Sequence, residues 1–131
     1  MTDIQSRGDI ERLVDTFYDG VRADELLGPI FNEMARVNWP EHLPKMYAFW
    51  EAVLFGVSGF KGNPLATHLT LARLTPLTAR EFDRWVALFH QSVDALFAGP
   101  VAADAKRRAV HIAATMQHHI AAAEAAGVLA R

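Results

Sequence analysis

Gly62-Asn63-Pro64-Leu65-Ala66-Thr67-His68-Leu69 is the stretch on which the reading of the chain turns. Asn63 reads as a helix N-cap and Pro64 as the first helical residue, because Asn accepts an orphan backbone N–H and Pro has none to leave unpaired. His68 then falls about one turn into a short helix, in the company of Leu65, Leu69 and Leu71. An imidazole among such neighbours is either neutral and hydrogen-bonded or a metal ligand. The stretch by itself leaves both open.

Outward from it the pattern is helical throughout. Upstream, Ser6-Arg7-Gly8-Asp9 opens a helix expected over about 9–23, whose apolar set Ile10, Leu13, Val14, Phe17, Tyr18 and Val21 recurs at helical spacing. Residues 24–31 hold a short helical stretch broken at Gly28-Pro29, which predicts a sharp corner delivering Phe31 inward. Pro40 opens a helix to about Phe55, with Leu43, Met46, Tyr47, Phe49, Trp50, Val53 and Leu54 over a wide arc, and Gly56, Gly59 and Gly62 mark its end. Downstream, Thr75-Pro76-Leu77-Thr78 makes a turn. Thr78 caps a helix of about 79–97 with Phe82, Trp85, Val86, Phe89, Val93 and Leu96 inside, and Gly99-Pro100 stops it. The last helix, about 101–126, carries Val101, Ala105, Ala109, Ile112, Ala113, Met116 and Ile120 on one side and stops at Gly127. No stretch alternates with the period of a strand. The class is all-α, with six or so helices in a single domain over residues 1–131.

The 131 residues suffice for one core that buries roughly two-thirds of the unfolded surface. With 51% hydrophobic and 21% charged residues, wholesale disorder is excluded, and no apolar run approaches the ~20 residues of a membrane span. A formal charge of -2 gives no basic footprint for nucleic acid. The absence of cysteine removes disulfides and thiolate sites, and the polar opening Met1-Thr2-Asp3-Ile4-Gln5 lacks the apolar core of a signal peptide. A soluble, cytoplasmic chain is expected, with neither nucleic acid nor membrane as partner.

Hydrolytic chemistry has no foothold: there is no Gly-x-Ser-x-Gly, no glycine-rich phosphate loop and no His-Glu-x-x-His pair. What remains is a density of aromatics near helix centres, namely Phe17, Tyr18, Phe31, Phe49, Trp50, Phe82, Trp85 and Phe89, together with His42 and His68. Flat, bulky side chains on several helices suit burial of a large flat apolar ligand. They equally suit a plain core. His111 and His118, seven apart, share a helix face with His90 and His119 nearby; the choice there lies between a zinc or copper site, a solvated face and an interface patch. Asp94, Asp104, Lys106, Arg107 and Arg108 read as ordinary surface charge.

A joint set of residues then carries a family resemblance. Phe17-Tyr18 with Asp19 and Val21-Arg22, Leu27-Gly28-Pro29-Ile30-Phe31-Asn32, Glu41-His42, Phe49-Trp50, Gly62-Asn63-Pro64-Leu65 with His68-Leu69, and Phe82 with Trp85, Leu88-Phe89 and Ser92 occur in an order and spacing that resembles a truncated haemoglobin over nearly the whole chain. His42, Trp85 and the lack of Gly-Gly pairs are most similar to group III. The resemblance implies a globin-like two-over-two helical sandwich enclosing haem b (iron protoporphyrin IX). It makes His68 the proximal iron ligand and sets Tyr18, His42 and Trp85 on the opposite, distal side, where Tyr18 and Trp85 donate hydrogen bonds to a bound ligand. Phe31, Met46, Phe49, Trp50, Leu65 and Phe89 would line the haem pocket, and Lys45 would meet a propionate at the rim. Pro44 lacks an N–H and crowds the carbonyl of Pro40, so an irregular first helical turn is expected, with His42 swinging as a gate to ligand entry. The function implied is reversible binding of O2 and of CO and NO, with a reductase as partner for any redox chemistry. O2 sequestration, NO dioxygenation, peroxidase-like oxidation and haem-based sensing all use such a pocket. The expected state is a monomer or weak homodimer. The different-class alternative is a non-catalytic helical interaction domain whose aromatics are purely core.

Overall fold

Ser6 closes the first turn of helix α1 (Arg7–Ala23) by accepting the Asp9 N–H, in a computed structural model that describes residues 1–57, 72 and 77–127. The helix buries Ile10, Leu13, Val14, Phe17, Tyr18 and Val21, the stripe that its three-and-four spacing predicts. Asp24 ends it. The Asp24 N–H bonds to the Val21 carbonyl, while its carboxylate accepts the N–H groups of Leu26 and Leu27 and meets the Arg84 guanidinium at 2.7 Å. A π-helical turn follows over Ile30–Met34, with the Ala35 N–H reaching back to the Ile30 carbonyl at 2.8 Å. Arg36 then sits at φ 49°, in the left-handed region that an L side chain enters only at a cost.

Helix α2 (Trp39–Phe55) begins behind Asn38, whose side chain accepts the Glu41 N–H at 3.4 Å. It runs α-helical through Pro44, so the irregular first turn expected there is not what forms. The physical reason is local: Pro44 forfeits a single backbone bond, while the N–H groups of Glu41 and His42 are both held by the Asn38 carbonyl, at 3.1 and 2.8 Å. Gly56, at φ 69°, closes α2 with its N–H on the Ala52 carbonyl, a conformation that glycine adopts without a Cβ penalty. Helix α3 (Ala79–Leu96) starts where Thr78 donates from its N–H and its hydroxyl to Glu81 Oε1, both at 2.7 Å. Helix α4 (Pro100–Ala125) completes the set, with no strand among the described residues. The short helix expected from the sequence to bear His68 lies outside the described residues.

Helices α1 and α2 pack as one pair and α3 and α4 as another, joined by α1 against α3. The two-over-two arrangement expected from the sequence follows from this. Helix α4 turns Ala102, Ala105, Ala109 and Ala113 inward, and these small residues let α3 lie close, with Phe89 and Val93 filling the seam. Ser92 is buried in the same layer, with its hydroxyl donated to the Leu88 carbonyl at 3.0 Å. Beyond the seam, Lys106 pairs with Asp94, and Arg107 and Arg108 with Asp104, on the surface as expected.

The first residues strap the start of α4. The Asp3 carboxylate accepts the N–H groups of Val101 and Ala102 at 2.9 and 2.8 Å, and a Cβ on Gly99 would lie 2.5 Å from the Asp3 side chain. Burial pushes the Asp3 carboxyl up, but the N–H donors of Val101, Ala102 and Ile4 outweigh it and hold the group below its ordinary value. We expect Asp3→Ala to lower stability at pH 7 by about 1 kcal/mol, as loss of a helix cap does, read as a shift in urea midpoint. Because the native value is the lower one, this contribution is complete above roughly pH 4 and fades as pH falls through the native value. The gap between variant and parent therefore narrows in acid.

Candidate ligand-binding site

Phe17 and Tyr18 are consecutive on α1, so the ~100° turn between helical neighbours sends them in two directions. Tyr18 faces the start of α2 and the π-helical turn. Its ring centroid lies 5.3 Å from His42, 5.4 Å from Trp39 and 6.1 Å from Phe31. Phe17, 4.8 Å from Tyr18, faces α3, with Trp85 at 5.5 Å and Phe89 at 5.2 Å, both edge-on. Trp50 stacks on Phe89 at 4.6 Å and 16°, Phe49 stands edge-on to Trp50 at 5.4 Å, and Trp85 stacks on Phe89 at 6.0 Å. One line of rings thus runs across α1, α2, α3 and the π-helical turn.

Within this line the polar atoms are few. Tyr18 is buried, and burial pushes its phenol well above the ordinary range, so its hydroxyl is a neutral donor at any working pH. The His42 ring is turned toward Tyr18 and Trp39, with Nε2 shielded from solvent. Helix α2 is the most apolar of the four helices, yet Trp50 is the one side chain that it buries fully. Leu43, Met46, Phe49, Val53 and Leu54 lie half-buried against the core. A face of this kind, with two titratable rings at its edge, fits a flat, largely apolar group.

The sequence matches the family of bacterial-like globins over residues 3–122. The chain belongs to this family. It is 36% identical over 91 residues to a group 3 truncated haemoglobin of Campylobacter jejuni, across 67% of this chain and 69% of the relative. The crystal structure of the group III truncated haemoglobin from Campylobacter jejuni is similar to it with a TM-score of 0.79 and 31% identity, over 92% of this chain and 95% of that one.

In this globin, the structure brings together Tyr18, His42, Phe31 and, through Phe17, the group of Trp50, Trp85, Phe89 and Phe49. Met46 is half-buried one turn beyond His42. Lys45 is 64% exposed, 3.8 Å from Glu41, and stands apart from the ring line. His68 and Leu65 lie outside the described residues. Among the described residues no group of three His, Cys, Asp or Glu side chains is placed to hold a metal ion, and no helix is long and apolar enough to cross a membrane. His90 meets the Lys106 carbonyl at 3.0 Å, while His111, His118 and His119 are exposed on α4.

Trp39 is the site residue that sequence reasoning missed. It touches Tyr18, Phe31 and His42. A partial signal was present: a tryptophan at the first helical position, three residues before His42, shares that residue's face.

A second contact ties the helices that carry Tyr18 and His42. The Tyr47 hydroxyl on α2 donates to Asp15 on α1, and Arg7 joins Glu51 at 2.8 Å and Glu11 at 3.3 Å beside the Tyr47 ring. Burial, then the hydrogen bond and charge of Asp15, push the Tyr47 phenol up to about 12. With Tyr18 raised as well, neither tyrosine of this globin ionises near pH 10, the value of a free phenol. Ultraviolet titration of the haem-free chain should show this, and Asp15→Asn should return one phenol toward 10.

Proposed function

We propose that this globin binds haem b, with His68 as proximal ligand, and takes up O2, CO and NO reversibly. The observation that supports this best is a neutral, buried tyrosine hydroxyl set beside His42 at the edge of the half-buried apolar face of α2. Haem, when bound, supplies an iron atom that accepts diatomic ligands. The rest falls to the chain. Phe31, Met46, Phe49 and Leu65 give the porphyrin apolar walls and keep water out, Trp50 and Phe89, buried against each other, back those walls from behind, and Lys45 can reach a propionate from the rim. Tyr18 offers its O–H to a ligand that carries partial negative charge, and Trp85 offers its indole N–H. Both donors favour O2, whose bound form is polar, over CO. Retention of O2 is therefore the primary chemistry of this reading; oxidation of NO or use of peroxide would draw on the same donors and on a reductase.

A visible absorption spectrum tests it. Haem added to the haem-free chain should give a Soret band at one haem per chain, and His68→Ala should weaken or remove it. No band, or a band indifferent to His68→Ala, overturns the reading and returns the aromatics to a plain core.

A further inference from the structure

Trp39 stands between the Tyr18–His42 pair and solvent. Its ring lies 5.4 Å from Tyr18, 5.5 Å from His42 and 6.1 Å from Phe31, and it is half-buried, packed on the core from outside. Above the same ring the Arg22 guanidinium sits 4.8 Å from the centroid. The two ends of this contact are anchored differently. The Arg22 backbone is pinned: its carbonyl accepts the Asn32 amide at 3.2 Å, and a Cβ on Gly28 would come within 2.7 Å of it. Trp39, by contrast, is the first residue of α2 and follows the segment that holds Arg36 at φ 49°. A ring at a helix end, held over the site by an exposed cation, can leave and return without displacing α1 or α2.

We infer that Trp39, clamped by Arg22, is the gate through which ligands reach Tyr18 and His42. The inference rests on the haem reading above. It assigns the motion to a ring that lies a single turn before His42 and touches three residues of the site at once. Its kinetic signature differs from that of a ligand donor. A gate multiplies entry and exit by the same fraction of time open and leaves affinity unchanged, whereas a donor such as Tyr18 acts on exit.

The experiment uses the haem-loaded chain with Arg22→Gln and Trp39→Ala, read by flash photolysis of the CO complex and by CO and O2 dissociation. Arg22→Gln should raise association and dissociation together, roughly two- to fivefold, the factor carried by one exposed cation–π contact, with Kd unchanged. Trp39→Ala should raise both further. In the haem-free chain, Arg22→Gln should increase quenching of tryptophan emission by acrylamide, and the increment should vanish when Trp39→Phe is added. Rates unchanged in Arg22→Gln, or a change confined to dissociation, overturn the gate, and Arg22→Gln alone decides if Trp39→Ala does not fold. A parent chain without a Soret band removes the haem reading and the gate with it. An intact Soret band with unchanged rates removes only the gate.

Discussion

Tyr18→Phe is expected to speed dissociation of O2 by about tenfold and to leave that of CO nearly unaltered, the net worth of one hydrogen bond to a polar ligand being about 1–1.5 kcal/mol. The size follows from where the hydroxyl lies. Tyr18 is 6% exposed, and burial keeps its phenol neutral, so the O–H is available as a donor and competes with little water. The variant keeps the ring and hence the edge contacts with His42 and Phe31. A rate change therefore reports the lost hydrogen bond and not a collapsed pocket. Trp85→Phe removes the second proposed donor and should act in the same direction. Stopped-flow displacement of O2 from both variants checks the pair, and unaltered rates in both would show that the donors lie elsewhere. Against Arg22→Gln the expected contrast is one of kind, since loss of the Tyr18 hydroxyl should weaken affinity.

The largest effect on stability is expected at Phe89. Phe89→Ala should cost about 3–5 kcal/mol, measured by urea unfolding of the haem-free chain. Phe89 is fully buried on α3, stacked on Trp50 of α2 and edge-on to Phe17 of α1, so its ring is the point at which three helices meet. Removing it opens a cavity whose walls are themselves rigid rings and collapse poorly. Against a total stability of about 5–15 kcal/mol for a domain, such a loss is a large share. Phe89→Leu retains most of the volume and should cost about 1–2 kcal/mol. Equal midpoints for the parent and Phe89→Ala would mean that the three-helix junction does not hold the fold.

Much of this architecture was legible in the sequence, for local reasons. Ser6 and Asp9, Thr78 and Glu81, and Gly56 act within one turn of chain, so the ends of α1, α2 and α3 could be placed within about two residues. Tyr18, His42, Phe31 and Trp85 could be named because the resemblance rests on their joint spacing, and the structure puts them on one line of rings. At two turns the sequence was silent or misleading although the deciding partners are local. The corner after α1 became a π-helical turn, closed by the Ala35 N–H on the Ile30 carbonyl five residues back. Pro44 left the first turn of α2 intact, because Asn38 satisfies that turn on its own.

What the sequence by itself determined is the helical class, the capped boundaries and the inventory of rings, since each of these is decided by residues within a turn or two of one another. Only the tertiary structure decided who meets whom. It closed Asp3 onto the first turn of α4, joined Asp24 to Arg84, and laid Arg22 over Trp39 above Tyr18. Such contacts bind segments that the chain alone leaves apart, and their geometry exists only once the apolar faces of the helices have packed.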